Sequence, residues 1–168
     1  MTRFLLDAMC GGLDAYLRIC GHDAAFALDR GVEADNAVLA LARAEDRRLV
    51  TRDRQLATQA DGSLLLTERD PVDQLVELAT AGVDLTPDPE RARCGRCNGR
   101  LDPVSAADET PEYVPADVAD AAASPGERAS LWRCVDCGQY FWRGSHWERV
   151  EQTLATVRER AENRERTE

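Results

Sequence analysis

The sequence predicts an α/β fold: a parallel sheet with helices on both faces, followed by a small lobe clasped by cysteines. Three observations carry this expectation. The first 85 residues alternate short β-type apolar runs with stretches of helical periodicity, the pattern of successive βαβ units. A Pro-containing stretch, Asp84-Leu-Thr-Pro-Asp-Pro-Glu90, then breaks the periodicity and reads as a linker. Beyond it stand two Cys-x-x-Cys pairs, Cys94 with Cys97 and Cys134 with Cys137. The chain divides on this reading into 1–85, a linker at 86–92, a cysteine lobe at 93–149 and a C-terminal helix at 150–168.

Phe4, Leu5 and Leu6 form a buried strand that stops at Asp7. Met9, Leu13, Tyr16, Leu17 and Cys20 recur at helical spacing, so a helix follows, and Gly21 ends it. Asp23 to Phe26 supplies a second short strand. Asp35 stands before Val38, Leu39, Leu41 and Ala42, which places a helix start at or just after it. Arg48 to Thr51 is the third strand, ending at Arg52 and Asp53, and Ser63 to Thr67 is a fourth. Val72, Leu75, Val76, Leu78 and Ala79 share one face of a helix entered through Asp70 and Pro71. In the second lobe, residues 102–130 hold seven Asp or Glu and four Pro but few large apolar groups, and read as an exposed, partly disordered loop. Val150, Leu154, Val157 and Ala161 then mark an amphipathic helix whose Arg/Glu-rich end frays into solvent.

A length of 168 residues suits one average domain or two small ones and excludes large multidomain machinery. With 43% hydrophobic and 31% charged residues and a mean hydropathy of -0.45, the composition is that of a soluble globular protein. The longest apolar run, Ala37 to Ala42, is six residues, too short to cross a bilayer, so no membrane partner is expected. Asp7 interrupts the N-terminal apolar run after three residues, which argues against a secretory segment and for a cytoplasmic location. The net charge of -10 leaves no overall basic field for a phosphate backbone, so any nucleic-acid contact must be local. All 21 basic residues are Arg, and this acid excess without Lys suggests a halophilic setting. There the Debye length shrinks to about 3 Å at 1 M salt and carboxylate repulsion costs little.

Six cysteines without a secretion signal read first as metal ligands or buried thiols. Tetrahedral zinc takes four thiolates, and each Cys-x-x-Cys loop presents two, so Cys94, Cys97, Cys134 and Cys137 are the expected structural zinc ligands. The 36 residues between the pairs exceed the roughly 15–20 usual for such sites, which fits an elaborated ribbon. A redox dithiol would need a thioredoxin-like setting and leaves the second pair unexplained. His146 is expected to pack, because four Cys complete the zinc, and Cys10 and Cys20 read as small apolar core residues.

Ligands of open parallel sheets bind beyond the carboxyl ends of the strands, where Asp7 and Asp53 both stand. Asp35, at a helix start after the second strand, can point to the same rim. Clustered carboxylates repel unless a cation neutralises them, and hard oxygen ligands suit magnesium or manganese. Such a site could activate water against a phosphodiester, with Arg18, Arg52 or Arg54 contacting phosphate oxygens. Each acid also has a plainer reading. Asp35 and Asp53 could cap helices, whereas Asp7, directly after an apolar strand, needs a partner for its charge.

The series Phe-Leu-Leu-Asp7, Leu-Arg18-Ile-Cys-Gly21-His-Asp23, Asp35-Asn-x-Val-Leu-x-Leu-Ala and Arg48-Leu-Val-Thr51-Arg52-Asp53-Arg54 resembles the PIN-like ribonucleases. In particular it is similar to the Mut-seven C-terminal RNase domain family, whose members join this domain to a zinc ribbon. The likeness extends to Arg-Cys94-Gly-Arg-Cys97-Asn-Gly-x-Leu and Cys134-x-x-Cys137-Gly-x-x-Phe-Trp142-x-Gly-Ser145-His146-Trp147. It implies a PIN-like, metal-dependent ribonuclease fold with Asp7, Asp35 and Asp53 as acidic ligands. Cys10-Gly11-Gly12-Leu13-Asp14-Ala15 departs from the family's pattern, because no basic residue precedes the helix there.

All three Trp fall in the second lobe, at Trp132, Trp142 and Trp147, with Tyr140 and Phe141 beside them and Arg133, Arg143 and Arg149 interleaved. Such a set can stack single-stranded bases and hold phosphates, although a small metal lobe also needs aromatic filler. The expectation is a hydrolase cleaving RNA, single-stranded by preference, with magnesium or manganese in one lobe and a zinc ribbon positioning the strand. The alternative is a non-catalytic zinc-containing RNA-binding adaptor whose acids only cap helices.

Overall fold

A computed structural model describes residues 2–105, 109–122 and 131–168. The first lobe is an α/β layer structure with a four-stranded parallel sheet in the order β2-β1-β3-β4. Its strands are β1 (Arg3–Leu6), β2 (Asp23–Phe26), β3 (Arg48–Thr51) and β4 (Leu64–Leu65). Between β1 and β2 lie a 3-10 segment, Ala8–Leu13, and α1 (Asp14–Ile19). A short 3-10 turn, Leu28–Arg30, precedes α2 (Asp35–Ala44). Helix α3 (Arg54–Thr58) joins β3 to β4, and α4 (Pro71–Thr80) follows β4.

Side-chain alternation along the strands sorts the core into two layers. Phe4, Leu6 and Val50 face Leu13 and Leu17 near α1 and Leu75, Val76 and Leu78 of α4. Leu5 and Leu49 face the other way, onto Val38, Leu39 and Ala42 of α2 and Leu56 of α3. Helices therefore cover both faces, as expected for a parallel sheet. Asp70 caps α4 by accepting from Val72 N and Asp73 N, with Pro71 in the first helical position where no N–H is needed.

Gly11, in the stretch that lacks the family's basic residue, has a local reason. A Cβ on Gly11 would come within 2.7 Å of the Phe26 ring, so the tight 3-10 segment after Asp7 can lie against β2 only without a side chain there.

The second lobe is an antiparallel sheet, β5 (Leu101–Pro103), β6 (Leu131–Cys134) and β7 (Tyr140–Trp142), with α5 (Ala116–Ala122) beside it. The expected exposed loop at 102–130 is thus corrected within its described part. It contributes most of β5 and all of α5, and Val104 and Val114 are buried against Leu131 and Tyr140. Few apolar groups suffice because the other half of this small core comes from β6 and β7. Residues 106–108 and 123–130 lie outside the described residues.

The C-terminal helix α6 spans Ser145–Thr167, opening before Val150 and staying helical to the end of its charged tail. Trp147 belongs to the second lobe's aromatic group, while Val150, Leu154, Val157 and Ala161 enter the first lobe's core against α4. The stretch joining the lobes is pinned at several points. Leu85 is buried in the core, His22 shares a hydrogen bond with Asp84 O at 2.6 Å, and Asp88 N donates to Ile19 O at 2.9 Å. No helix among the described residues is long and apolar enough to cross a membrane.

Candidate active site and metal centre

Strands β1 and β3 are adjacent and parallel, so the residues just past their carboxyl ends emerge at the same edge. Asp7 N donates to Val50 O at 3.0 Å and extends the ladder one residue past β1. The Asp7 side chain is buried, and both of its carboxylate oxygens are engaged. Oδ1 accepts from Ala8 N at 2.7 Å, capping the 3-10 segment, and Oδ2 accepts from the Thr51 hydroxyl at 2.8 Å. That hydroxyl in turn accepts from Asp53 N at 3.0 Å. One fully buried Thr51 therefore fastens the two acids to each other. The sequence motif contains Thr51 but gives it no role on its own; a hydroxyl at the last position of a buried strand, two residues before an acid, is the signal that could have found it.

Asp53 caps α3 by accepting from Gln55 N at 2.8 Å and Leu56 N at 3.1 Å. Both bonds fall on Oδ1, and none among the described residues falls on Oδ2. Arg52 is half-buried, with Nε unpaired, and Arg54 is exposed on the first turn of α3. Cys10 also lies here, buried, and its thiol is pushed up to about 12 by burial first and by the Asp7 charge second, so it stays protonated and inert.

Asp35 is placed differently. Ala34, with extended φ/ψ, holds the cap position of α2 and no side chain caps it, so Asp35 stands exposed one residue later. There its charge complements the positive end of the helix without acting as the cap. Among the described residues, the four cysteines are the one group of three or more His, Cys, Asp or Glu side chains placed to hold a metal ion, their ligand atoms all within 4.8 Å of one another. Asp7, Asp35 and Asp53 do not form such a group.

The cysteines fit a tetrahedral ion. Cys94 Sγ lies 3.7 Å from Cys137 Sγ, and Cys97 Sγ lies 3.5 Å from Cys134 Sγ. A tetrahedron with metal–sulfur bonds of about 2.3 Å has edges of about 3.8 Å, so the cluster could hold a metal such as zinc. Gly99 N and Cys137 N donate toward Cys97 Sγ and Cys134 Sγ at 3.4 and 3.5 Å, the outer bonds that steady thiolate ligands. Gly99 must lack a side chain, because its Cβ would come 2.9 Å from Cys134 Sγ and collide with Asp136. His146 is exposed and outside the cluster.

The lobes join at the amino ends of the strands, the edge opposite Asp7 and Asp53. Asn98 donates to Asp23 Oδ1 at 2.6 Å and accepts from Ala24 N at 3.0 Å, closing the exposed edge of β2. Buried Asp23 also pairs with Arg47 at 2.7 Å, Arg3 at 3.4 Å and Arg93 at 3.6 Å. Burial raises the Asp23 pKa, but hydrogen bonds from Arg47 and Asn98 and the Arg47 and Arg93 charges outweigh it and lower it to about 2. Arg18 belongs to this joint as well. It is 1% exposed and bonded to Ala24 O at 2.9 Å, Gly95 O at 3.0 Å and Asp14 at 3.1 Å. A guanidinium so enclosed is not available to a phosphate, and the expected substrate contact at Arg18 gives way to a joint between lobes.

No curated protein and no solved structure matches the chain. The family model for the Mut7-C RNAse domain matches residues 2–154, a span that includes the acid rim and the cysteine cluster, and the chain belongs to that family.

Proposed function

We propose that the chain is a divalent-metal-dependent ribonuclease that hydrolyses phosphodiester bonds of single-stranded RNA at the rim formed by Asp7, Thr51 and Asp53. The observation that supports this reading most is the Thr51 hydroxyl bridging a buried carboxylate to the backbone of a second acid at neighbouring strand ends. Asp7 and Asp53 would hold the magnesium or manganese, since magnesium is usually bound through one or two carboxylates and keeps several waters; Asp35, exposed at the start of α2 and outside any such cluster, would act as a third acid only through those waters. The ion, when bound, supplies charge neutralisation at the phosphodiester and a water of lowered pKa. Thr51 holds the Asp7 carboxylate in one rotamer, and Arg52 and Arg54 flank the rim as phosphate contacts.

The functional units on this reading are a PIN-like nuclease lobe at 1–85, a connector at 86–92, a zinc ribbon at 93–149 that assists RNA binding, and the last helix. Bound zinc would contribute folding energy to a lobe with a small core. Free thiolate ligands suit a reducing, cytoplasmic compartment. The acid excess carried with Arg alone suits high ionic strength.

The test is cleavage of end-labelled single-stranded and duplex RNA with magnesium or manganese, at low and high salt, by the protein and by Asp53→Asn. Asn caps a helix as well as Asp does, so that variant keeps α3 and removes only the charge. Cleavage of single strands that Asp53→Asn abolishes supports the reading. The adaptor reading has one observation of its own, that Asp7 and Asp53 both cap helical segments. RNA binding without cleavage under every metal would favour it.

A further inference from the structure

A cleft of about 490 Å³ opens between α1 and the cysteine lobe, walled by Ala15 and Ile19 on one side and by Phe141 and Trp142 on the other. Three arginines, Arg91, Arg93 and Arg96, reach its lining, and no Asp or Glu among the described residues does, in a chain of net charge -10. Its size is within the range of small-ligand sites, roughly 300–1,000 Å³.

Arg91 is the unusual member. It is 7% exposed, with a left-handed backbone at φ 49°, and its guanidinium lies 3.9 Å from the Trp147 ring centroid and 5.4 Å from that of Trp132. Its one side-chain hydrogen bond among the described residues goes to Trp142 O at 3.3 Å and Nε has no partner; the Glu151 carboxylate acts on it from beyond ion-pair distance. Arg143, exposed, stands over the same Trp132 and Trp147 rings at 5.8 and 5.7 Å and adds a like charge. Burial first, and the Arg143 charge second, hold Arg91 down to about 10. A cation taken out of water is costly unless an anion meets it, and faces of Trp beside guanidinium groups suit a base and its phosphate together.

We propose that this cleft is a nucleotide subsite for the RNA strand, its phosphate meeting Arg91 and Arg96 in the lining and Arg143 beside it, where Arg143 also donates to Pro89 O at 2.8 Å, and its base stacking on Trp142 and Phe141. The proposal rests on RNA being the substrate. The cleft adjoins the lobe joint at the amino ends of the strands, while Asp7 and Asp53 lie at the carboxyl ends, and a four-residue strand of about 13 Å separates the two edges of the sheet. It would therefore grip the strand away from the bond that is cut.

All three Trp of the chain border or adjoin this cleft, so intrinsic fluorescence reports on it. The zinc-loaded full chain is titrated, without magnesium or manganese, with adenosine monophosphate, adenosine and hexauridylate. The expected result is saturable binding of the monophosphate, at least about tenfold weaker binding of adenosine, and about tenfold weaker binding of both the monophosphate and hexauridylate by Arg143→Gln. Arg96→Gln, also at an exposed position, should weaken both ligands in the same direction. Asp53→Asn should bind the monophosphate as the parent does. Absence of saturable monophosphate binding, equal binding of adenosine, or hexauridylate binding unchanged in both Arg variants overturns the proposal. If RNA is cleaved but the cleft binds no nucleotide, the subsite alone fails; if the cleft binds and nothing is cleaved, the ribonuclease reading alone fails.

Discussion

Replacing Asp23 with Asn removes one charge from the joint while leaving an amide oxygen that can still accept from Asn98. Asp23 is buried among Arg47, Arg3 and Arg93, and its pKa is about 2 against an ordinary 3.8. A difference of nearly two pH units corresponds to about 2–3 kcal/mol of native-state stabilisation. Because the folded pKa lies below the unfolded one, that contribution is complete above about pH 4 and is lost as pH falls through about 2. Urea unfolding of the protein and of Asp23→Asn from pH 7 down to pH 3 measures it, with zinc content matched between the two at each pH because protonation of the cysteines releases the metal in acid. The variant is expected to be less stable by about 2–3 kcal/mol at pH 7, with the gap narrowing below pH 4. On heating, the same cost should lower the midpoint by roughly 5–10 °C for a chain of this size. A variant as stable as the parent at pH 7, or a gap that stays constant down to pH 3, refutes the reasoning.

Leu154→Ala should cost about 2–5 kcal/mol in thermal or urea unfolding, because Leu154 is fully buried where α6 meets α4; a cost below about 1 kcal/mol would mean that α6 does not complete the first lobe's core. Gly99→Ala should weaken zinc or cobalt binding about 10–100-fold in a competition titration with a chelator, since the added methyl group meets Cys134 Sγ; unchanged affinity would contradict the close approach described there. Thr51→Val should destabilise by about 1–3 kcal/mol, by stranding Asp7 Oδ2 and Asp53 N, and should lower RNA cleavage, whereas Thr51→Ser should retain both properties. Equal behaviour of the Val and Ser variants would remove the hydroxyl from the account.

The parallel sheet and its covering helices were legible because apolar periodicity is a local signal and the strands are short, continuous apolar runs. The meeting of Asp7 and Asp53 was legible for the same reason: each directly follows a strand, and parallel neighbours put such residues at one edge. The cysteine cluster followed from loop spacing, with β5 and β6 bringing Cys94–Cys97 beside Cys134–Cys137 across the long insert. What was not legible depends on partners remote in sequence. Val104 and Val114 are buried only because Leu131 and Tyr140 arrive from the other side. Arg18 looked like a surface base, yet a carbonyl 77 residues away accepts from it. Asn98 and Arg91 carry no local signature, since both stand in left-handed backbone at the lobe junction and draw their meaning from Asp23 and Trp147. The helix start at Asp35 was legible, but its cap was not: Ala34 takes that position, and the Asp35 side chain stands exposed past it.

The rim is tested most directly by the rate of RNA cleavage by Asp7→Asn beside the parent, at matched zinc content and matched unfolding midpoint, with saturating manganese. Loss of that single charge should lower the rate at least about 100-fold while nucleotide binding in the Trp-lined cleft persists. A variant that folds, carries its zinc and cuts RNA at the parent rate would place the chemistry somewhere other than the ends of β1 and β3.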